Sequence, residues 1–320
     1  MSATVGAVAA VDIGGTTTRA AVAVGDELRG RVAVPTRPGK GLADAVAETV
    51  RAALAASGLA RGEIDALGVS VPGPLDAKRR SVAFTGNVGL RHYALAERLE
   101  TALELPVTMD DDANCAALGE VRRGAAMGAG VAVLVVVGTG IGGGIVIDGR
   151  LYRGAHAIAG EVGHIVLEPD GPPCSCGHRG CFEALAAGPA LAARGRTAAR
   201  DGRSPALIER AGGSMKAIDT AAVLEAAQAG DHGALEAVAA TGRYLGLGVA
   251  AVASMLDPDV IVLSGGLGGT PDMLEWARRG VRDHCISPLD SLVRVVNGSL
   301  GDDAGLWGAA LLALGSKEVA

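Results

Sequence analysis

Two apolar strands that run into a glycine turn and straight out into another strand constrain this chain more than any other feature. Val5 to Ile13 ends in Asp12-Ile13-Gly14-Gly15-Thr16, and a second strand follows over Thr18 to Val24. About 125 residues later, Val131 to Val137 runs into Gly138-Thr139-Gly140-Ile141-Gly142-Gly143-Gly144 and continues through Ile145 to Ile147. Gly138, Gly140 and Gly143 satisfy G-x-G-x-x-G, but the dinucleotide fingerprint needs a helix after the loop and here a strand follows. No G-x-x-x-x-G-K-[ST] loop is present, which removes the P-loop kinases. The recurrence suggests an α/β chain with two similar halves facing each other.

A glycine turn between paired strands is either a plain hairpin or an anion nest, in which unobstructed backbone N–H groups converge on phosphate. Asp12 before the first turn, the hydroxyls of Thr16, Thr17, Thr18 and Thr139, and a third glycine pair at Gly265-Gly266 favour phosphate. The predicted nucleotide-binding set is therefore Asp12, Gly14, Gly15, Thr16, Thr17, Gly138, Thr139, Gly140, Gly265 and Gly266. Asp12 would hold Mg²⁺ through water, since Mg²⁺ keeps much of its hydration shell. Helical periodicity covers Gly41 to Ser57 and His92 to Leu103, and Asp112 to Val121 reads as a helix with carboxylates at its N-terminus. Asp112 is its candidate N-cap. Phe182 to Leu256 reads as mostly helical, and a last helix covers about Ala304 to Leu314.

His164 precedes the run Cys174-Ser175-Cys176-Gly177-His178-Arg179-Gly180-Cys181. One His and three Cys are the donor set of a closed structural zinc site, so His164, Cys174, Cys176 and Cys181 are the predicted ligands. His178 competes for the fourth place. The odd total of five cysteines with three clustered fits metal binding in a reducing compartment better than disulfides. The net charge of -6 argues against nucleic acid or an anionic membrane as partner. The longest apolar run, Val131 to Ile147, is broken by five glycines and reads as two strands, not a membrane span. The expected compartment is the cytoplasm.

These motifs, in this order, resemble the ROK family of repressors, open reading frames and kinases. Asp12 to Thr16 resembles its opening phosphate loop and Val71-Pro72-Gly73-Pro74 its sugar-side loop. Asp112-Ala113-Asn114 resembles the tail of its catalytic Asn-Asp-Ala-Asn motif, and Gly138 to Gly144 its second phosphate loop. Gly160-Glu161-Val162-Gly163-His164 and Cys174 to Glu183 resemble its signature. The resemblance implies an actin-like, hexokinase-type (ribonuclease H-like) two-domain fold with an interdomain cleft. The expected division is a smaller domain at 1–122, with a helix at about 303–316 packing back on it, and a larger domain at 123–302 carrying the zinc knuckle. The implied activity is ATP- and Mg²⁺-dependent phosphorylation of a hexose 6-hydroxyl by a homodimer. An N-acetylhexosamine kinase is an alternative substrate reading, and a sugar-responsive repressor and a zinc hydrolase are alternative classes. Only eleven residues precede Asp12, too few for a helix-turn-helix, and the zinc set looks saturated. Carried over residue by residue, Asp112 is the general base. Gly73, Asn87, Asp111, Asp112, Glu161, His164 and Glu183 contact the sugar, with one His164 ring nitrogen on zinc and the other towards substrate.

The chain departs from that pattern at Asp111, where the resembled family has Asn. Asp110, Asp111 and Asp112 then form a run of carboxylates, which raise one another's pKa. A cation would relieve this. If the family's Asn meets the sugar around C3, Asp there suits an ammonium through a charge-assisted hydrogen bond. The sugar would be 3-amino-3-deoxyglucose (kanosamine), whose 6-phosphate belongs to antibiotic-precursor biosynthesis. An ordinary glucose hydroxyl remains the other reading.

Overall fold

The structure, a computed structural model, describes residues 6–85 and 89–315. The chain opens with β1 (Ala7–Ile13), β2 (Thr17–Val24), β3 (Glu27–Pro35), α1 (Leu42–Ser57) and β4 (Ile64–Val71). It continues through β5 (Val82–Thr85), β6 (Leu90–Tyr93), α2 (Leu95–Leu103), β7 (Val107–Asp111) and α3 (Asp112–Arg123). Then come β8 (Val131–Val137), β9 (Ile141–Ile147), β10 (Arg150–Leu151), α4 (Phe182–Ala186), α5 (Gly188–Arg200), α6 (Pro205–Arg210) and α7 (Thr220–Gln228). The chain closes with α8 (His232–Leu256), β11 (Val260–Ser264), α9 (Pro271–His284), α10 (Leu289–Leu292), β12 (Arg294–Asn297) and α11 (Ala304–Gly315).

Two compact units result, Met1–Gly128 with Gly144–Ala159 and Ser299–Ala320, and Ala129–Gly143 with Gly160–Gly298. In the first, a five-stranded sheet has the order β3-β2-β1-β4-β7. β2 is antiparallel to β1, while β4 runs parallel to both β1 and β7. β1 is apolar along nearly its whole length because both faces are covered. Ala7, Ala9, Val11 and Ile13 point into a core with α1 and α2. Val8 and Ala10 point the other way, into a core with Leu306, Trp307, Ala309 and Ala310 of α11. This is the two-residue alternation of a strand, with apolar residues in both phases. α11 lies close on the sheet because Gly68 of β4 leaves room for the Ala309 carbonyl, and Gly308 does the same for the carbonyl of Cys115.

The other five-stranded sheet has the order β10-β9-β8-β11-β12, with β8, β11 and β12 parallel. Val131 to Ile147 is thus two strands joined at the glycine turn, as its glycines imply. Among the described residues α8 alone is long and apolar enough to cross a membrane. It is a packing hub: Leu245, Val249 and Ala253 are buried, and it contacts α4, α5, α7 and α9.

Two local expectations need correction. The helix expected from His92 begins only at Leu95, because Leu90 and Tyr93 pair with Thr85 and Val82 in a hairpin. Tyr93 is buried there and its hydroxyl donates to the Lys40 carbonyl at 2.9 Å. Tertiary pairing wins over helical periodicity at those residues. The N-cap of α3 is Asp111, whose Oδ1 accepts from the Ala113 N–H at 3.1 Å. Asp112 is the first helical residue.

Candidate active site

Parallel strands expose their carboxyl ends on one edge of a sheet, where α/β folds place their ligands. In the first unit that edge gathers the predicted residues. Asp12 pairs in register with Ser70, and Ser70 and Val71 with Asp110 and Asp111. Gly73 lies two residues past the end of β4, after Pro72. Its φ is +96°, and a Cβ there would meet the Phe84 carbonyl oxygen at 2.5 Å, so the turn requires glycine. Asn87 lies outside the described residues.

The first glycine turn is tied from within. The Gly14 N–H donates to the Thr17 carbonyl at 2.9 Å, and the Thr36 hydroxyl donates to the Gly14 carbonyl at 2.7 Å. Thr18 is buried and bonded to Thr36, while Gly15 and Thr16 are exposed. Asp12 Oδ1 accepts from the Ser70 hydroxyl at 2.5 Å. Burial pushes the Asp12 carboxyl up to about 6; the Ser70 bond opposes this and the neighbouring Asp112 charge adds to it. A half-buried carboxylate with a carboxylate neighbour and no ion pair of its own among the described residues suits a divalent cation, and Mg²⁺ is commonly held by one or two carboxylates.

This burial has a measurable cost in the metal-free protein. The folded carboxyl holds its proton more tightly than the unfolded one, whose ordinary value is 3.8. The penalty is absent below the unfolded value, grows as pH rises through about 6, and is constant above it, at about 3 kcal/mol at most. Asp12→Asn in the absence of divalent ions should therefore be more stable than wild type at pH 8, by roughly 1–3 kcal/mol, and nearly equal at pH 4. Urea unfolding at both pH values checks this; an Asn variant less stable at pH 8 would show that the carboxylate is already compensated.

The three carboxylates that end β7 and begin α3 have different environments. Asp110 is buried. Its Oδ2 takes Arg153 Nε and Nη2 at 2.7 Å, with Arg79 Nε at 3.9 Å. Its Oδ1 accepts from Asn114 Nδ2 and the Asp111 N–H, both at 3.0 Å. The cation that this acidic run calls for is thus supplied to Asp110 by the protein. Asp111 caps α3, where the helix dipole favours its charge. Asp112 is open to solvent at its side chain yet ringed by protein atoms. That crowding raises its carboxyl above the usual range, against a hydrogen bond from the Ala113 N–H at 2.7 Å. Of these partners Ser70, Arg79 and Arg153 carry no sequence signal, being far from the motif in the chain. Asn114 stands inside it.

In the second unit, the Gly138 and Gly265 turns come together. The Leu267 and Gly268 N–H groups both donate to the Val137 carbonyl at 3.0 Å, which seats Gly265-Gly266 against the end of β8. Gly265, at φ +84°, has no room for a Cβ beside Val137. Thr139 is exposed. Glu183 holds this turn from below: its Oε2 accepts from the Ile141 N–H at 2.9 Å and lies where a Gly140 side chain would be. Its Oε1 accepts from the Ser175 hydroxyl at 3.1 Å, so one carboxylate links the glycine turn to the cysteine knuckle.

The ligand atoms of His164, Cys174, Cys176 and Cys181 all lie within 4.8 Å of one another. Tetrahedral zinc with bonds of about 2.3 Å places sulfur atoms about 3.8 Å apart. The Cys176–Cys181 sulfur distance is 3.7 Å, and His164 Nδ1 stands 3.7 Å from the Cys174 sulfur. The four donors fit zinc. His164 Nε2 faces away, 3.8 Å from Glu161 Oε2, and Glu161 is exposed. His178 Nδ1 lies 3.6 Å from the Cys176 sulfur and stands outside the set.

A model of the ROK family matches residues 8–316. The chain belongs to the ROK family. A glucokinase of Streptomyces coelicolor is 35% identical over 312 residues, which is 95% of this chain and 96% of that protein. A ROK hexokinase of Thermus thermophilus superposes with a TM-score of 0.81 at 36% identity, over 98% of this chain and all of the other. A ROK glucokinase of Streptomyces griseus, solved with glucose and AMPPNP, gives 0.82 at 34% identity, over 97% of this chain and all of the other. The fold is therefore the actin-like α/β fold of ROK hexokinases.

Proposed function

We propose that this ROK protein is an ATP-dependent sugar kinase acting on the 6-hydroxyl of a glucose-type hexose. The observation that carries the reading is Asp112. It is an accessible carboxylate on the first turn of α3, at the carboxyl edge of the sheet, with its proton affinity raised by its surroundings. A group so placed accepts a proton from an alcohol near neutral pH better than an ordinary carboxylate does. The kinship with glucokinases supports the same reading. Asp112 takes the hydroxyl proton as the sugar oxygen bonds to the γ-phosphorus. The bond to the β–γ bridging oxygen breaks and ADP leaves. The remaining work is positioning and charge. The Gly14 and Gly138 N–H groups close their own turns on the Thr17 and Gly140 carbonyls, and the N–H groups that follow them, at Gly15, Thr16, Thr139 and Gly140, hold phosphate oxygens. Mg²⁺ at Asp12 neutralises phosphate charge when bound. Exposed Glu161 and the outward nitrogen of His164 bind sugar hydroxyls, and a zinc ion held by His164, Cys174, Cys176 and Cys181 would fix the orientation of the imidazole. Glu183 orders the turn and the knuckle. The two compact units are read as the two domains of the kinase, and the active species as a homodimer, which light scattering checks. ADP release with ATP, Mg²⁺ and a panel of hexoses tests the proposal; no release with any sugar would overturn it.

Asp111 favours a finer reading, a preference for the 3-amino sugar kanosamine. Arg153 and Arg79 already answer Asp110, so a ligand ammonium would have to be drawn by Asp111 itself. Such a charge-assisted bond is worth roughly 1.5–3 kcal/mol, about ten- to a hundredfold in kcat/KM. Asp111→Asn should then lose that advantage and spare or improve glucose turnover. Equal handling of both sugars by wild type at neutral pH, with both changed alike in the variant, would make glucose the substrate.

A further inference from the structure

Away from the residues discussed so far, α5 and α8 flank an open cavity of about 660 Å³, reached also by Pro172 of the knuckle and Ala184 of α4. That is the size of a small-molecule site. Its walls are backbone and short side chains, among them Ala190, Ala193, Ala237 and Ala240. Three arginines also line it, against a single carboxylate, Glu236. Arg203 is bound to Glu236 and Asp201. Arg194 and Arg243 have no ion-pair partner among the described residues.

Arg194 is half-buried. Its Nη1 donates to the Leu185 carbonyl and the Thr241 hydroxyl, both at 2.8 Å, and its guanidinium lies over the Tyr244 ring. Nε and Nη2 make no hydrogen bond among the described residues. The nearby carboxylate, Glu168, is already held by the Tyr244 hydroxyl at 2.8 Å. Burial lowers the Arg194 pKa and the like charge of Arg243 adds to this, against the attraction of Tyr244 and Glu168. A guanidinium keeps its charge in protein, so it is relieved by an anion rather than by losing a proton.

We propose that this cavity is a binding site for a small phosphomonoester, its dianion held between Arg194 and Arg243 and its body lying against the alanine walls. Two guanidiniums match a dianion, and their planar forks suit phosphate oxygens. The site is joined to the zinc knuckle and to α4. Arg194 anchors the Leu185 carbonyl, and α4 carries Glu183 next to the cavity-lining Ala184. Occupancy is therefore felt at Glu183 and at the glycine turn it holds. This second part rests on the kinase reading; the binding itself does not.

Titration calorimetry with glycerol 3-phosphate, without nucleotide or sugar, tests the binding, with inorganic phosphate as the comparison. One site per chain is expected, weakened about 10- to 100-fold in Arg194→Met and in Arg243→Met. Arg243 is exposed, so its variant should fold even if Arg194→Met does not. Equal affinity for inorganic phosphate would show that only the phosphate group is recognised and would remove the alanine walls from the proposal. No binding to wild type at about 10 mM, or binding that Arg243→Met leaves unchanged, overturns it. In the kinase assay, glycerol 3-phosphate should shift the sugar KM of wild type and leave that of Arg243→Met unmoved, with equal basal rates. Binding without ADP release would refute the kinase reading alone, and ADP release without binding would refute the cavity alone.

Discussion

Asp112→Asn is expected to lose turnover by about 10²–10⁴-fold while binding sugar within about tenfold of wild type. The amide keeps the shape of the side chain and can keep an acceptor for the Ala113 N–H, so α3 should be undisturbed. Only basicity is removed. The variant should be slightly easier to fold at neutral pH, because a crowded carboxylate with raised proton affinity is gone. A fall in kcat with unchanged sugar affinity by calorimetry is the signature. A variant with near wild-type kcat would take Asp112 out of the chemistry and leave it a structural residue at the start of α3.

Removing the knuckle metal should have the other large effect. Protein purified without added metal should contain about one zinc per chain, and Cys181→Ser should contain little. Cys181 is fully buried, precedes fully buried Phe182, and sits at the head of α4. Burial raises its thiol to about 12, so without a cation this sulfur stays protonated, whereas the exposed Cys176 thiol, under the His178 backbone N–H, falls to about 6. A dication deprotonates all of them and links three segments of chain. Its loss should cost at least about 3 kcal/mol of stability, read by chemical unfolding. Activity should fall further than stability explains, since Glu183 joins the knuckle to the Gly138 turn through Ser175. Cys176→Ser with full zinc content and full activity would count against the site.

What could be read in the sequence was whatever depends on neighbours along the chain. The glycine turns follow from a strand on either side of a run of small residues, and the zinc donors are crowded into a short segment plus His164. The carboxylates at the head of α3 were visible for the same reason, although which of them caps the helix was not. That depends on backbone angles at Asp111, and three identical side chains in a row give no hint of them. Arg153 could not be paired with Asp110, nor Ser70 with Asp12, because sheet register brings them together across long separations. The β5–β6 hairpin was hidden by an apolar spacing that suits a helix equally well. Tyr93, which packs against a different part of the chain, decides it.

The way α11 completes the first sheet bears on how the protein emerges from the ribosome. Val8, Ala10, Ala21 and Ala66 are made before nearly all of the second unit, and their core partners on that face, Leu306 to Ala313, after it. The first unit is thus interrupted by the synthesis of nearly the whole second unit. During that interval a bare apolar sheet face waits for its cover. Nascent chains stalled before residue 304 should therefore be chaperone clients, bind hydrophobic dyes and precipitate easily, even though every strand of that sheet has already been translated. Vectorial synthesis can finish the second unit early, but it can finish the first only when α11 has left the ribosome.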